Sequence, residues 1–71
     1  MYELTTVIEQ LNAEGKEVIA ISSSIVLCHW HEDNSFVTWR WYISQDNKAY
    51  VEAGNYFRDL SSALTGFKER I

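Results

Sequence analysis

The apolar positions of this chain recur with a helical spacing at both ends and alternate with polar positions between them. An apolar stripe with near-helical spacing is formed by Tyr2, Leu4, Val7, Ile8 and Leu11. Such a stripe is typical of an amphipathic helix. Gly15 stands where a C-terminal cap belongs, so the pattern predicts a first helix over residues 3–14.

A second stripe with helical spacing closes the chain. It is formed by Phe57, Leu60, Ala63, Leu64, Phe67 and Ile71. Asp59 is a suitable N-cap, because its carboxylate can accept the free N–H groups of the first turn. Gly66 inside this helix costs about 1 kcal/mol relative to Ala. Either a close approach to the rest of the fold or fraying near the terminus would explain it.

The middle of the chain is typical of β-strands. An extended segment runs from Val18 to about Trp30, with a bend or bulge expected at Ser22–Ser24. Residues 36–43 are almost all β-branched or aromatic and lie between two polar turns, which predicts a second strand. A third strand is expected over residues 48–53, where Gly54 and Asn55 would end it.

These elements predict an α+β fold: a single domain over residues 1–71 in the order helix, three strands, helix. The strands would form an antiparallel meander, and both helices would pack on one face of it to bury their apolar stripes. Alternation along the second strand assigns Val37, Trp39, Trp41 and Ile43 to the covered face. The opposite face would stay open, and it would carry Phe36, Arg40, Tyr42, Tyr50 and Glu52.

Net charge, the length of the apolar runs and the cysteine count exclude several classes of protein. The net charge is −4, and the first 35 residues hold six carboxylates against one lysine. This acidic half argues against direct nucleic-acid binding and suits a basic surface on another protein. The longest apolar runs, such as Val18–Ile21, are too short to span a bilayer, and the first residues do not form a secretory signal. A single cysteine, Cys28, excludes an intrachain disulfide, and we expect a half-buried thiol in a cytoplasmic protein.

No motif for catalysis or cofactor binding stands out. His29 and His31 would project the same way from a strand, and Glu32 or Asp33 could add an oxygen ligand. Zinc prefers four ligands, however, and Cys28 would point to the opposite face, so we expect no metal site and no cofactor. Cys28 is also not expected to pair with a histidine as a nucleophile. We therefore predict no catalytic residues and no enzyme activity.

Two surfaces are candidates for binding a partner protein. The first is the acidic first helix with Glu3, Glu9 and Glu14. The second is the open sheet face, whose candidate binding residues are Phe36, Arg40, Tyr42, Tyr50 and Glu52, because tyrosine and arginine are enriched at interface hot spots. The same aromatic rings could instead stack single-stranded nucleic acid, cover a second copy in a homodimer, or only pair across strands.

The second half of the chain also carries a recognisable pattern. It reads Thr38-Trp39-Arg40, then Gly54-x-Tyr56-Phe57-x-Asp59-Leu60-x-x-Ala63-x-x-x-Phe67-x-x-Arg70. The pattern resembles short proteins of bacteria, phages and mobile elements. Small acidic proteins from that setting often resemble inhibitors of host defence, of the anti-CRISPR or antirestriction type. The resemblance implies a partner such as the basic nucleic-acid-binding surface of a nuclease, and it implies no catalytic residues.

Overall fold

A computed structural model describes residues 4–71, which form two helices and one sheet. The elements in chain order are α1 (Leu4–Ala13), β1 (Lys16–Ile21), β2 (Ile25–Trp30), β3 (Ser35–Ile43), β4 (Ala49–Phe57) and α2 (Leu60–Arg70). The strands lie side by side in chain order, and every neighbouring pair is antiparallel. The predicted α+β class and antiparallel meander are confirmed. Tyr2 of the apolar stripe and Glu3, the first residue of the predicted helix, lie outside the described residues.

Within residues 4–71 the sheet has four strands rather than the predicted three, because the extended segment that ends at Trp30 is a hairpin. The chain reverses at the serine run instead of bending there. Ser22 N–H donates to the Ile25 carbonyl at 2.7 Å, and Ile25 N–H donates to the Ser22 hydroxyl at 3.0 Å. A serine side chain that bonds nearby backbone groups favours turns over continuous strands, so the run separates β1 from β2.

The predicted strand break at Gly54 is also wrong, because the chain forms a bulge there and β4 continues to Phe57. Ala53 and Gly54 together face the single residue Trp39, where the pairing register shifts. Ala53 has a φ of 55°, in the left-handed region. A Cβ on Gly54 would lie 2.7 Å from Trp39 Nε1, so the buried indole requires glycine at this position.

The two helices pack on opposite faces of the sheet, so the prediction that both cover one face is wrong. The central strand β2 shows this directly, because its consecutive residues alternate between the two sides. Val26 and Cys28 pack in one cluster with residues of α1. Ile25 and Leu27 pack in another cluster with residues of α2. All four side chains are buried, and only a helix on each side removes both sets from water.

Each helix closes its own hydrophobic cluster. The α1 cluster contains Val7, Leu11, Val26, Cys28, Val37, Trp39, Trp41 and Ala49. The α2 cluster contains Ile25, Leu27, Ala63 and Phe67, with Ala20, Phe36 and Phe57 packed against it. The assignment of Val37, Trp39 and Trp41 to the core is confirmed. Gly66 is explained by close packing, since a Cβ there would lie 2.5 Å from the Phe57 ring.

A glutamine side chain ties α1 to the outer edge of the sheet. Gln10 Nε2 donates to the Ala49 carbonyl at 2.8 Å, and Ala49 N–H donates to Gln10 Oε1 at 2.9 Å. The amide thus satisfies both backbone groups that the edge strand β4 presents at this residue. Satisfying them inside the molecule also protects this part of the edge from pairing with another chain.

Replacing Gln10 by Leu should lower the free energy of unfolding by about 1–3 kcal/mol. The substitution keeps the side-chain volume but leaves the Ala49 N–H and carbonyl unsatisfied in a partly buried position. Urea unfolding followed by tryptophan fluorescence would measure the loss. The exposed Gln45 provides a matched control, and Gln45→Leu should change stability by less than about 0.5 kcal/mol. Equal effects at the two positions would contradict this role for Gln10.

Candidate protein-binding surface

Four side chains from β3 and β4 form an exposed group that we call the tyrosine patch: Arg40, Tyr42, Tyr50 and Glu52. Cross-strand register brings them together, because Tyr42 pairs with Tyr50 and Arg40 pairs with Glu52. The two tyrosine rings are stacked, with centroids 5.9 Å apart and planes 26° apart. Arg40 donates to Glu52 Oε2 from Nη2 at 2.7 Å and from Nε at 3.1 Å.

The tyrosine patch is open because α2 covers only part of its face. The helix ends at Arg70, whose Nη1 donates to the carbonyl and the hydroxyl of Thr38 at 2.9 and 3.1 Å. Thr38 is fully buried, whereas Arg40, the next residue on that side of β3, is exposed. Beyond it, Tyr42 is 46% exposed and Tyr50 is 41% exposed. The face that the sequence predicts to be open is therefore open only at the end near the β3–β4 turn.

Phe36 was expected on this open face, and it lies elsewhere. Its ring packs against the α2 cluster and stacks on His29 at a centroid distance of 4.9 Å. It points to the same side of β3 as Arg40 and Tyr42, as the alternation predicts. Because α2 passes over this end of the strand, Phe36 is separated from the tyrosine patch by the buried Thr38.

The turn between β3 and β4 holds the patch in place through Asp46. The Tyr50 hydroxyl donates to Asp46 Oδ2 at 2.7 Å, and Lys48 N–H donates to Asp46 Oδ1 at 3.1 Å. The hydrogen bond from Tyr50 lowers the pKa of Asp46 below its usual range, and the same bond raises the pKa of Tyr50. Tyr50 is therefore a neutral, oriented ring beside a carboxylate that stays ionised at neutral pH.

The acidic first helix is less clearly a binding surface. Glu9 and Glu14 are both exposed, as expected, while Glu3 lies outside the described residues. Glu14 accepts from Lys16 Nζ at 3.2 Å, so part of its charge is neutralised within the molecule. Gln10 Nε2 also donates to Glu14, at 3.1 Å. Glu9, by contrast, forms no ion pair with another described residue.

The residues considered for catalysis or metal binding have other neighbours in the structure than the sequence predicts. These residues are Cys28, His29 and His31. Cys28 is fully buried in the α1 cluster, so the thiol expected to be half-buried is inaccessible. His29 projects from the other side of β2, which keeps the Cys28 thiol and the His29 imidazole apart. The carboxylate that approaches His29 and His31 is Glu17 of β1, not Glu32 or Asp33. The β1–β2 register places Glu17 opposite His29, and a single extended segment, as the sequence predicts, has no such register.

Neither of the two helices found within residues 4–71 has the length and apolar character needed to cross a membrane. Comparisons of the chain with protein-family models, with curated proteins and with solved structures found no significant match. Function must therefore be inferred from the residues of this chain.

Proposed function

We propose that this protein is a non-enzymatic binding module whose tyrosine patch docks on a partner protein. The observation that supports this most is the stacked pair of Tyr42 and Tyr50, which are 46% and 41% exposed. Tyrosine and arginine bury a large area on binding while their polar ends still form hydrogen bonds. The cross-strand contacts and the Asp46 hydrogen bond hold these side chains before a partner arrives, which lowers the entropy cost of association.

The charge of the chain supports a basic partner surface. The net charge is −4, and a basic surface would be attracted to it at long range. The resemblance of the second half of the chain to mobile-element proteins supports a narrower proposal. On this proposal, the protein is an anti-CRISPR or antirestriction inhibitor that occupies the nucleic-acid-binding surface of a host defence nuclease.

Substitutions in the tyrosine patch should abolish partner binding with little effect on folding. Arg40→Ala and Tyr42→Ala should each reduce capture of the partner from bacterial lysate at least tenfold. Because both side chains are exposed, the free energy of unfolding should fall by no more than about 1 kcal/mol. Co-precipitation with quantitative mass spectrometry and thermal melts would measure the two effects.

The opposite face of the sheet offers a matched control in Tyr56, which is 57% exposed. Tyr56→Ala should leave partner capture unchanged. A drop in stability well above 1 kcal/mol for Tyr42→Ala would instead show that the two tyrosines serve only to stabilise the sheet. For the narrower proposal, expression of the protein should raise phage plating on a host with an active restriction or CRISPR system, and Tyr42→Ala should remove that effect.

The stacked tyrosines also suit a second function, binding of single-stranded nucleic acid, since exposed aromatic rings can stack on bases. The net charge of −4 disfavours it. Fluorescence anisotropy with labelled single-stranded DNA and RNA at low salt separates the two functions. Binding that weakens steeply with added salt would favour nucleic acid, and absence of binding would favour a protein partner. Sedimentation analysis of the wild type and of Tyr42→Ala would show whether a second copy covers the patch, because a dimer that uses the patch would dissociate in the variant.

A further inference from the structure

We infer that Glu17, His29 and His31 form a binding site for a divalent transition metal ion, with zinc as the expected ion. One ligand atom from each of these side chains lies within 4.8 Å of the other two. Two imidazole nitrogens and a carboxylate oxygen are established zinc ligands. This site is separate from the tyrosine patch, which lies toward the other end of β3: Arg40 is about 13 Å and Tyr42 about 20 Å along the strand from Phe36, the partner of His29.

The backbone brings the three side chains to one place. Glu17 and His29 are direct cross-strand partners, so their side chains project to the same side of the β1–β2 pair. His31 follows His29 by two residues, just past the end of β2. Its N–H donates to the Gly15 carbonyl at 3.0 Å, which ties His31 to the start of β1. The positions of all three residues are therefore determined by backbone pairing rather than by a free loop.

The distances are close to those of a zinc site. His31 Nε2 lies 2.8 Å from Glu17 Oε1, and His29 Nδ1 lies 3.8 Å from the same oxygen. Two ligand atoms bound to one tetrahedral zinc are about 3.3 Å apart, given bond lengths of about 2.0–2.1 Å. The two imidazole nitrogens lie within 4.8 Å of each other, and side-chain rotations would bring all three separations to about 3.3 Å. The side chains of His31 and Glu17 are more than half exposed, so water can supply the fourth ligand.

A residue outside the three orients the more buried histidine. His29 Nε2 lies 3.1 Å from Asn34 Oδ1, and the tautomer with its proton on Nε2 donates to this amide oxygen. In the neutral imidazole this leaves the lone pair on Nδ1, the atom that faces Glu17. Metal-ligating histidines almost always donate their other N–H to an oxygen in this way. The ring is also held by stacking on Phe36.

The Glu17 carboxylate accepts a hydrogen bond from His31 Nε2 at 2.8 Å, and a bound zinc ion would take the place of this proton. Among the described residues, the two histidines are the only side chains that place a nitrogen within 4.0 Å of a Glu17 carboxylate oxygen, and the neighbouring Lys16 pairs with Glu14. The sequence-based expectation of no metal site rested on too few ligands. In the structure Glu17 takes the place of Glu32 or Asp33 as the oxygen ligand, and no fourth protein ligand is needed, because three protein ligands plus water is the arrangement of an open zinc site.

A zinc titration of the full chain, produced without a histidine tag, tests the inference. Isothermal titration calorimetry should show one zinc ion per chain. Glu17→Gln, His29→Gln and His31→Gln should each weaken zinc binding at least tenfold. Asn34→Ala should weaken it about 10–100-fold, as expected for a residue that orients a ligand. Glu32→Gln is the matched control, since it removes a nearby carboxylate outside the site and should leave binding unchanged.

Two further measurements separate a metal site from a Glu17–His31 ion pair. The chain has only two histidines, so imidazole NMR signals report on both ligands directly, and zinc should shift both sets. Zinc should also raise the melting temperature of the wild type but not of Glu17→Gln, because an ion that binds only the folded state stabilises it. The inference is overturned if the wild type does not bind zinc, or if Glu32→Gln weakens binding as much as Glu17→Gln. Circular dichroism would verify that each variant folds.

Discussion

Replacing Leu27 by Ala is expected to lower the free energy of unfolding by about 2–5 kcal/mol. Leu27 is fully buried in the α2 cluster, where it packs with Ala63 and Phe67. Truncation removes buried apolar surface and leaves a cavity between β2 and α2 that the rigid sheet cannot close. A chain of 71 residues is expected to have a total stability of about 4–11 kcal/mol, so the variant would lose a large part of it.

The same substitution on the outer side of α2 provides the control. Leu64 is 36% exposed, and Leu64→Ala should cost much less than Leu27→Ala. Urea unfolding monitored by tryptophan fluorescence would compare the two, with the slope of the transition verifying that the denatured states are alike. A small effect at Leu27 would contradict the packing of α2 against this face of the sheet.

The Cys28 thiol is expected to react very slowly in the folded protein. Burial raises the pKa of Cys28 from 9.0 to about 12, with Lys16 partly opposing the shift. The thiolate is the reactive form, and three pKa units correspond to roughly a thousandfold smaller thiolate fraction at pH 8. Ellman's reagent should therefore label Cys28 at least a thousandfold more slowly in buffer than in guanidinium chloride. Comparable rates in the two conditions would show that the thiol is accessible.

The raised pKa of Cys28 also makes the free energy of unfolding depend on pH in alkaline solution. Between pH 9 and about 12 the thiol ionises in the unfolded chain but stays protonated in the folded one. The unfolded state then binds fewer protons, so the contribution of Cys28 to stability falls by about 1.4 kcal/mol per pH unit in this window. Below pH 9 the contribution is constant. Unfolding of the wild type and of Cys28→Ala should therefore show different pH slopes above pH 9 and equal slopes below it.

Local sequence patterns predicted the types of element well where a periodic pattern lies between clear turn signals. Residues 36–43 were assigned to a strand with their core side identified, and β3 shows Val37, Trp39 and Trp41 buried on that side. The closing helix and its Asp59 cap were also correct, since Asp59 Oδ1 accepts from Ser62 N–H at 2.8 Å. Both features depend only on residues close together in the chain.

The sequence-based predictions are wrong where one local sequence pattern is compatible with two different structures. Ser22–Ser24 is compatible with a bulge or with a hairpin turn, and the choice depends on whether β1 can pair with β2. Gly54 is compatible with a strand end or a bulge, and the need to fit the Trp39 indole favours the bulge. The position of α2 could have been read from β2 itself, because four consecutive apolar residues from Ile25 indicate a strand buried on both faces.

Some candidate binding residues can be placed from local sequence patterns, and others only from the tertiary structure. Alternation alone places Arg40 and Tyr42 on one side of β3, and the hairpin at Asp46 brings Tyr50 and Glu52 to face them. Whether Phe36 joins them depends on how far α2 reaches across the sheet, and the helix covers it. Glu17 could not be assigned to the histidines without the β1–β2 register.

The sequence by itself determined the α+β class, the two helices, the antiparallel meander of the last three strands and the two sides of β3, because period and turn chemistry are properties of neighbouring residues. Only the tertiary structure decided that α1 and α2 lie on opposite faces, that the tyrosine patch stays open, and that Glu17 meets His29 and His31. These outcomes depend on contacts between segments far apart in the chain. Each segment alone is compatible with several arrangements. Burial of both sides of β2 requires the arrangement with one helix on each face of the sheet.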